Sequence, residues 1–306
     1  MTPIQLFLQQ LANGLTLGAI YALIALGYTM IYGVVQLINF AHGEVFMVGA
    51  YLALAVVLLA RASPLLCAAP WGLVLLLCVV GAMAGCAVLG MAIERLAYRP
   101  IRHAPRLNAL ITAIGLSLFL QNAIMLLYGA TDRQFPNPIP LIRWDLGGVT
   151  VTSMQVIIWG LSGLVMAGLQ ALVMSTKLGM AMRATAQDLR ACALLGIPVD
   201  RVIAITFVIG SMLAATGGTL FGLHYGTINF HDGYLVGLKA FTAAVLGGIG
   251  NVPGAMVGGL ALGLLEGLGA GYLFAQWKNV FAFVILVILL LCKPTGLLGE
   301  RVADRA

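Results

Sequence analysis

The sequence predicts an all-α polytopic membrane protein of eight to ten transmembrane helices, with broken or re-entrant segments and an inverted repeat. Three observations carry that expectation. First, 61% of the 306 residues are hydrophobic and only 8% are charged. An ordinary globular domain carries about 25% charged residues, so this chain has too few to cover a water-soluble fold of its size. Second, no Asp, Glu, Lys or Arg precedes Glu44 or falls within 62–93, 107–131, 146–176, 202–231 or 240–265. About 20 consecutive apolar residues suffice to cross a hydrocarbon core. Third, the cations cluster: Arg95, Arg99, Arg102 and Arg106; Lys177, Arg183, Arg190 and Arg201; and Lys293, Arg301 and Arg305. Basic residues gathered in short segments beside helix ends mark the cytoplasmic side. The net charge of +6 is therefore mostly a topology signal, and a soluble enzyme, a nucleic-acid binder and a disordered chain are poor candidates.

Taken in order, the apolar runs place spans near 11–35, 45–60, 71–93, 108–129, 153–176, 202–225, 255–272 and 279–292. The first run has no basic flank before it and reads as a retained span, not a cleaved signal peptide. Residues 236–250 form a further, broken hydrophobic piece. Counting it as one crossing gives nine, with the N-terminus outside and all three basic clusters inside. Two non-basic loops then face outward: 130–152, with Pro136, Pro138 and Pro140 beside Phe135 and Trp144, and 226–239, with His231, Asp232 and Tyr234. The prolines rule out a continuous helix in the first. Either loop is a plain connector or a docking surface for an extracytoplasmic partner. Cys67, Cys78, Cys86, Cys192 and Cys292 contain no C-x-x-C pair and read as small apolar packing residues, with no metal site among them.

Glycines Gly247, Gly248, Gly250, Gly254, Gly258 and Gly259 crowd around Asn251 and Pro253. Small residues at such spacing let membrane helices approach closely, and the proline marks a helix break. Ile38-Asn39-Phe40 follows the first span and Ile228-Asn229-Phe230 follows the sixth. An odd number of crossings separates them, so the copies take opposite orientations, as in inverted-repeat transporters.

Three polar constellations stand out. In Asn39-Phe-Ala-His42-Gly43-Glu44, ionisable groups lie between two apolar spans, where they line a translocation path or form a tight turn in water. Asn229, Gly248 and Gly250 join Asn39, His42 and Glu44 as pathway or gating candidates. Along 179–201 (GMAMRATAQDLRACALLGIPVDR), a helix over 183–195 aligns Arg183, Gln187 and Arg190 on one stripe, with Ala184, Ala191 and Leu195 beside it. Gly196 is placed to stop that helix, with Pro198 beyond and Asp200 capping the next. Such a helix docks into a cytoplasmic partner's groove or is a solvated connector. Third, Glu266 is isolated within its span and His224 ends the sixth; each is a proton-relay member or a local hydrogen-bonding group. No G-x-x-x-x-G-K-[ST], H-E-x-x-H or G-x-S-x-G occurs, so no catalytic residue is expected, and if transport is driven by ATP the energy must arrive through a separate subunit.

Gly14–Gly33 (GLTLGAIYALIALGYTMIYG) followed by Ile38–Glu44 (INFAHGE) resembles the inner-membrane permease of branched-chain amino-acid ABC transporters, LivH type. The blocks ERLAYRPIR (94–102), LGIPVDRVIA (195–204), KAFTAAVLGGIG (239–250) with PGAM (253–256), and KPTGLLG (293–299) agree. The resemblance covers nearly the whole chain, and it implies one transmembrane permease domain over 1–306 in a bacterial inner membrane; the basic tail, by the nine-crossing count, puts the C-terminus in the cytoplasm. It further implies a LivM-like second permease, two cytoplasmic ATP-binding subunits and a periplasmic amino-acid-binding protein as partners. No cofactor is expected in this chain, ATP being bound by the partners. Within the cytoplasmic coupling segment 179–201, the resemblance puts ATPase docking on Ala184, Asp188, Ala191 and Gly196, beside Arg183 and Leu195. A urea or short-chain amide permease is the nearest alternative, and a stand-alone proton-coupled carrier a more distant one.

Overall fold

The computed structural model describes residues 2–64, 69–102, 104–272, 277–293 and 295–299, with backbone alone at 106, 281 and 282. Cys67, Pro294, Arg301 and Arg305 lie outside the described residues. Helices dominate: α1 (Pro3–Val35), α2 (His42–Ala62), α3 (Trp71–Ile93), α4 (Arg106–Tyr128), α5 (Ser153–Ser175), α6 (Lys177–Gln187), α7 (Leu189–Leu194), α8 (Val199–Tyr225), α9 (Asp232–Gly247), α10 (Val252–Tyr272) and α11 (Lys278–Cys292). Seven of these are long and apolar enough to cross a membrane. The protein is thus a multi-pass, mostly helical membrane protein.

Helix α1, with 33 residues, is about 50 Å long at 1.5 Å per residue. Its stretch from Gly18 to Ile31 is buried on every side, as expected of a helix apolar all round at the centre of a bundle. A capping box starts it: Thr2 accepts from the Gln5 N–H while the Gln5 side chain accepts from the Thr2 N–H. Thr152 and Gln155 start α5 in the same way. Against α1 lies α10, with almost no side chain between them. A Cβ added to Gly18 would sit 2.8 Å from Leu260 Cα, so glycine is what allows this backbone-to-backbone approach. Around the pair pack α8, α9 and α5, with α2, α3 and α4 beyond.

Helix α3 continues through a π-helical turn, Glu94–Tyr98, into Arg99–Ile101. Pro100 has no N–H to donate to a carbonyl four residues back, and the wider turn accommodates that loss. The outer loops hold short strands that hydropathy did not signal. Within 130–152, β2 (Arg143–Asp145) pairs antiparallel with β3 (Thr150–Thr152), turning through Gly147 and Gly148 at φ 66° and 89°. β1 (Arg133–Gln134) pairs antiparallel with β4 (Thr227–Ile228), which ties the two loops together.

Two local expectations are corrected. The loop expected over 226–239 is short, because α9 begins at Asp232. The continuous helix expected over 183–195 is two helices, broken at Asp188 with φ −154° and ψ 106°. The Asp188 carboxylate accepts from the N–H groups of Arg190 (2.8 Å) and Ala191 (3.0 Å). Asp competes for backbone N–H groups in this way and favours caps over helix interiors. Arg183 and Gln187 therefore belong to α6 and Arg190 to α7. Of the cysteines, Cys78, Cys86 and Cys192 are buried and free, while Cys292 is exposed.

Candidate functional site

The two Ile-Asn-Phe segments fold alike. Asn39 Oδ1 accepts from the Ala41 N–H at 3.1 Å, and its carbonyl accepts from the His42 N–H at 3.1 Å. Asn229 Oδ1 accepts from the His231 N–H at 2.9 Å, and its carbonyl accepts from the Asp232 N–H at 3.1 Å. In each case a helix begins three residues after the asparagine, α2 at His42 and α9 at Asp232. Asparagine suits this position because its side-chain oxygen mimics a backbone acceptor two residues on.

The starts of α2 and α9 touch. A Cβ on Gly43 would strike the Gly233 carbonyl oxygen and lie 2.8 Å from Gly237 Cα. Glu44 and Asp232 fall in the first turns of their helices, where a negative charge is favourable. Glu44 is buried; its Oε1 accepts from Ser117 at 3.2 Å, and Oε2 has no hydrogen-bond partner among the described residues. That carboxylate borders a cavity of about 300 Å³ with Tyr28, Phe40, Ser117, Leu118 and Phe241. His42 is fully buried and meets the Tyr28 ring edge-on, centroids 4.7 Å apart. Asn39, His42 and Glu44 thus belong to one turn whose Glu44 lines this cavity, whereas Asn229 lines a different one, donating to Asp132 Oδ1 at 2.5 Å.

Gly248 and Gly250 lie elsewhere. At φ 106° and 94° they form the corner between α9 and α10. The tail clasps this corner: Leu297 N–H donates to Leu246 O at 2.8 Å and Leu298 N–H to Gly247 O at 3.0 Å. Their placement beside Gly33 and Gly299 is a feature of backbone packing at the opposite end of α9.

The segment 179–201 lies at the foot of α1 and α8, against which α6 packs. Met182, Thr185 and Cys192 point inward; Arg183, Asp188, Ala191, Leu195 and Gly196 are exposed, and Ala184 is half-buried. Leu194 and Leu195 are 89% and 80% exposed. Gly196 takes φ 80°, a conformation that costs other residues more.

An ion network ties this segment to the Asn39 turn. Asp200 pairs with Arg99 (2.7 Å) and Arg102 (2.5 Å), and Arg102 also holds Glu94 at 2.6 Å. One turn away, the Tyr98 hydroxyl donates to Asn39 Oδ1 at 2.9 Å. Sequence reasoning quoted these residues as a block and missed their partners.

Glu266 is not isolated. It pairs with Lys239 at 2.7 Å and accepts from the Tyr21 hydroxyl at 2.9 Å, all three being buried. The signal available for this pair was a Lys and a Glu in neighbouring apolar helices, each needing an opposite charge. His224 contacts only the adjacent Tyr225 ring among the ring contacts described.

The model of the family described as "Branched-chain amino acid transport system / permease component" matches residues 10–290. The chain belongs to this family. The permease is 47% identical over 305 residues to the high-affinity branched-chain amino acid transport system permease protein LivH of Escherichia coli K12, covering 98% of this chain and 97% of the relative. It is 48% identical over 310 residues to BraD of Pseudomonas aeruginosa, covering the whole of both chains. A more distant relative, the xylose/arabinose import permease protein XylH of Sulfolobus acidocaldarius, is 33% identical over 61% of this chain and 53% of its own length. No solved structure matches the permease.

Proposed function

We propose that this permease moves Leu, Ile and Val inward across the bacterial inner membrane as one subunit of an ABC importer. It would work with a second, LivM-like permease, two cytoplasmic ATP-binding subunits and a periplasmic amino-acid-binding protein. The observation that carries the reading is likeness over essentially the full chain to permeases named for branched-chain amino acids. A urea or short-chain amide cargo has no such support. The proton-coupled carrier loses its free candidate acid, because Glu266 is paired with Lys239 and accepts from the Tyr21 hydroxyl.

In this reading there are nine crossings, the seven long helices together with α9 and α11, and the C-terminus is cytoplasmic. The matching Asn39 and Asn229 turns support an inverted repeat. Exposed Leu194 and Leu195, beside Arg183 and Asp188, suit docking by a cytoplasmic ATPase, since clustered exposed apolar residues mark interaction surfaces. Closure of the ATPases would push on α6 and α7, move α1 and α8, and act through Asp200 and Tyr98 on the Asn39–Glu44 turn. The test is Gly196→Arg. An added side chain meets open space, but any residue other than glycine is strained at φ 80°, so Gly196→Ala is the control for that cost. An importer carrying Gly196→Arg should reach the membrane and hydrolyse ATP without leucine uptake, while one carrying Gly196→Ala should keep uptake. Normal uptake with Gly196→Arg would overturn the docking role. Co-purification of a C-terminally tagged chain with an ATP-binding subunit and a second permease tests the assembly, which crosslinking before extraction would also have to trap.

A further inference from the structure

A second cavity, of about 290 Å³, opens beside the paired loops, at the end of the bundle remote from 179–201. The helix α9 builds two of its poles. Asp232 in the first turn and Lys239 seven residues later both line it, and residues seven apart lie on one helix face about 10 Å apart along the axis. Helical side chains lean toward the N-terminus, which carries the Lys239 ammonium back toward Asp232.

The ammonium has three donors. Glu266 takes one at 2.7 Å and the Tyr21 hydroxyl lies 3.4 Å from the nitrogen, which leaves one for the cavity that Lys239 lines and Glu266 does not. At the mouth, Asp232 Oδ2 accepts from the Asn229 N–H at 2.7 Å and Asp132 Oδ1 from Asn229 Nδ2 at 2.5 Å. Asn229 thereby holds both carboxylates in place while each keeps an oxygen for which no bond is described. Phe221, Ile228, Leu235 and Val236 supply an apolar wall, and Lys278 with Asn279 completes the rim.

An anion entering this cavity meets two carboxylates, and a cation meets Lys239 in the wall and Lys278 at the rim. A zwitterion satisfies both, and the wall suits a short aliphatic side chain. The volume is near the lower bound of about 300 Å³ for small-molecule sites. We propose that this cavity is an entry site for a free branched-chain α-amino acid, with its ammonium at Asp132 and Asp232 and its carboxylate at Lys239. The proposal rests on the transport reading above and gives it a binding site on this chain.

The test uses the full importer in membrane vesicles carrying Leu235→Cys, read by the rate of maleimide labelling against the parent chain's background. L-Leucine at ten times its dissociation constant should slow labelling about tenfold, since only the empty site reacts. Isocaproate, lacking the ammonium, and isoamylamine, lacking the carboxylate, should leave the rate unchanged at that concentration. Adding Lys239→Gln and Glu266→Gln together removes both buried charges without stranding either, and should abolish protection by leucine. The proposal is overturned if leucine fails to protect, if either half-analogue protects equally, or if the double variant retains protection. Leucine uptake by vesicles of the parent importer separates the two readings. Uptake without protection removes the entry site and leaves the transport reading standing; protection without uptake removes the transport reading and leaves the site.

Discussion

Lys239 and Glu266 are 27 residues apart in sequence on neighbouring helices, and their stability depends on each other. A charge left alone in a buried site costs about 3–5 kcal/mol, whereas replacing both members with apolar groups is often neutral or stabilising. Lys239→Met alone should therefore lower unfolding free energy in detergent by about 3–5 kcal/mol, and Lys239→Met with Glu266→Leu should recover most of it. Equal stability of the single variant and the parent would show that the pair carries no such dependence. In the coupling proposed above, Tyr98 has a smaller role in stability and a larger one in transmission. Tyr98→Phe removes one hydrogen bond to Asn39 Oδ1, worth about 1 kcal/mol. The chain should remain folded, and leucine uptake should fall while ATP hydrolysis by the assembled importer continues. Unchanged uptake would remove Tyr98 from the link between Asp200 and the Asn39 turn.

Between elements, the contact of α2 with α9 is set by the absence of side chains. Gly43→Ala places a methyl group against the Gly233 carbonyl and Gly237 Cα, and overpacking of this kind costs about 1–3 kcal/mol. Gly163 on α5 has nothing within 4 Å of an added Cβ, so Gly163→Ala is the control and should be silent. Comparison of the two variants for melting temperature and uptake checks this; equal behaviour would show that the helix starts can separate at no cost. The break between α6 and α7 belongs to the same scale. Its signal was in the sequence, an aspartate followed by helix-forming residues, but the Arg183–Gln187–Arg190 spacing suggested a single continuous helix. A side chain that captures two N–H groups outweighs a periodic stripe in so short and exposed a segment.

For the molecule as a whole, the nine crossings proposed above would fix which ends share a side. Asp145→Cys should react with a membrane-impermeant maleimide in intact cells or right-side-out vesicles. Arg190→Cys and a C-terminal tag should be reachable only in inside-out vesicles. Any other pattern would break the proposed topology and, with it, the assignment of 179–201 to the cytoplasmic face. The β1–β4 pairing already requires loops 130–152 and 226–231 to lie on one side.

The sequence by itself determined the spans, whose limits fall within a few residues of α3, α4, α5 and α11, because a hydrocarbon layer demands a length of apolar chain that any reader of composition can find. It also determined the family, since the motif blocks are local strings. Only the tertiary structure decided that Glu266 is held by Lys239, that Tyr98 reaches Asn39, that the starts of α2 and α9 meet at Gly43, and that Gly248 and Gly250 form a corner remote from Glu44. These are contacts between helices distant in sequence. Within a uniformly apolar span the pattern of hydropathy is nearly flat, so it says that a helix crosses but not which face meets which neighbour; close approach of glycines and pairing of buried charges make that choice.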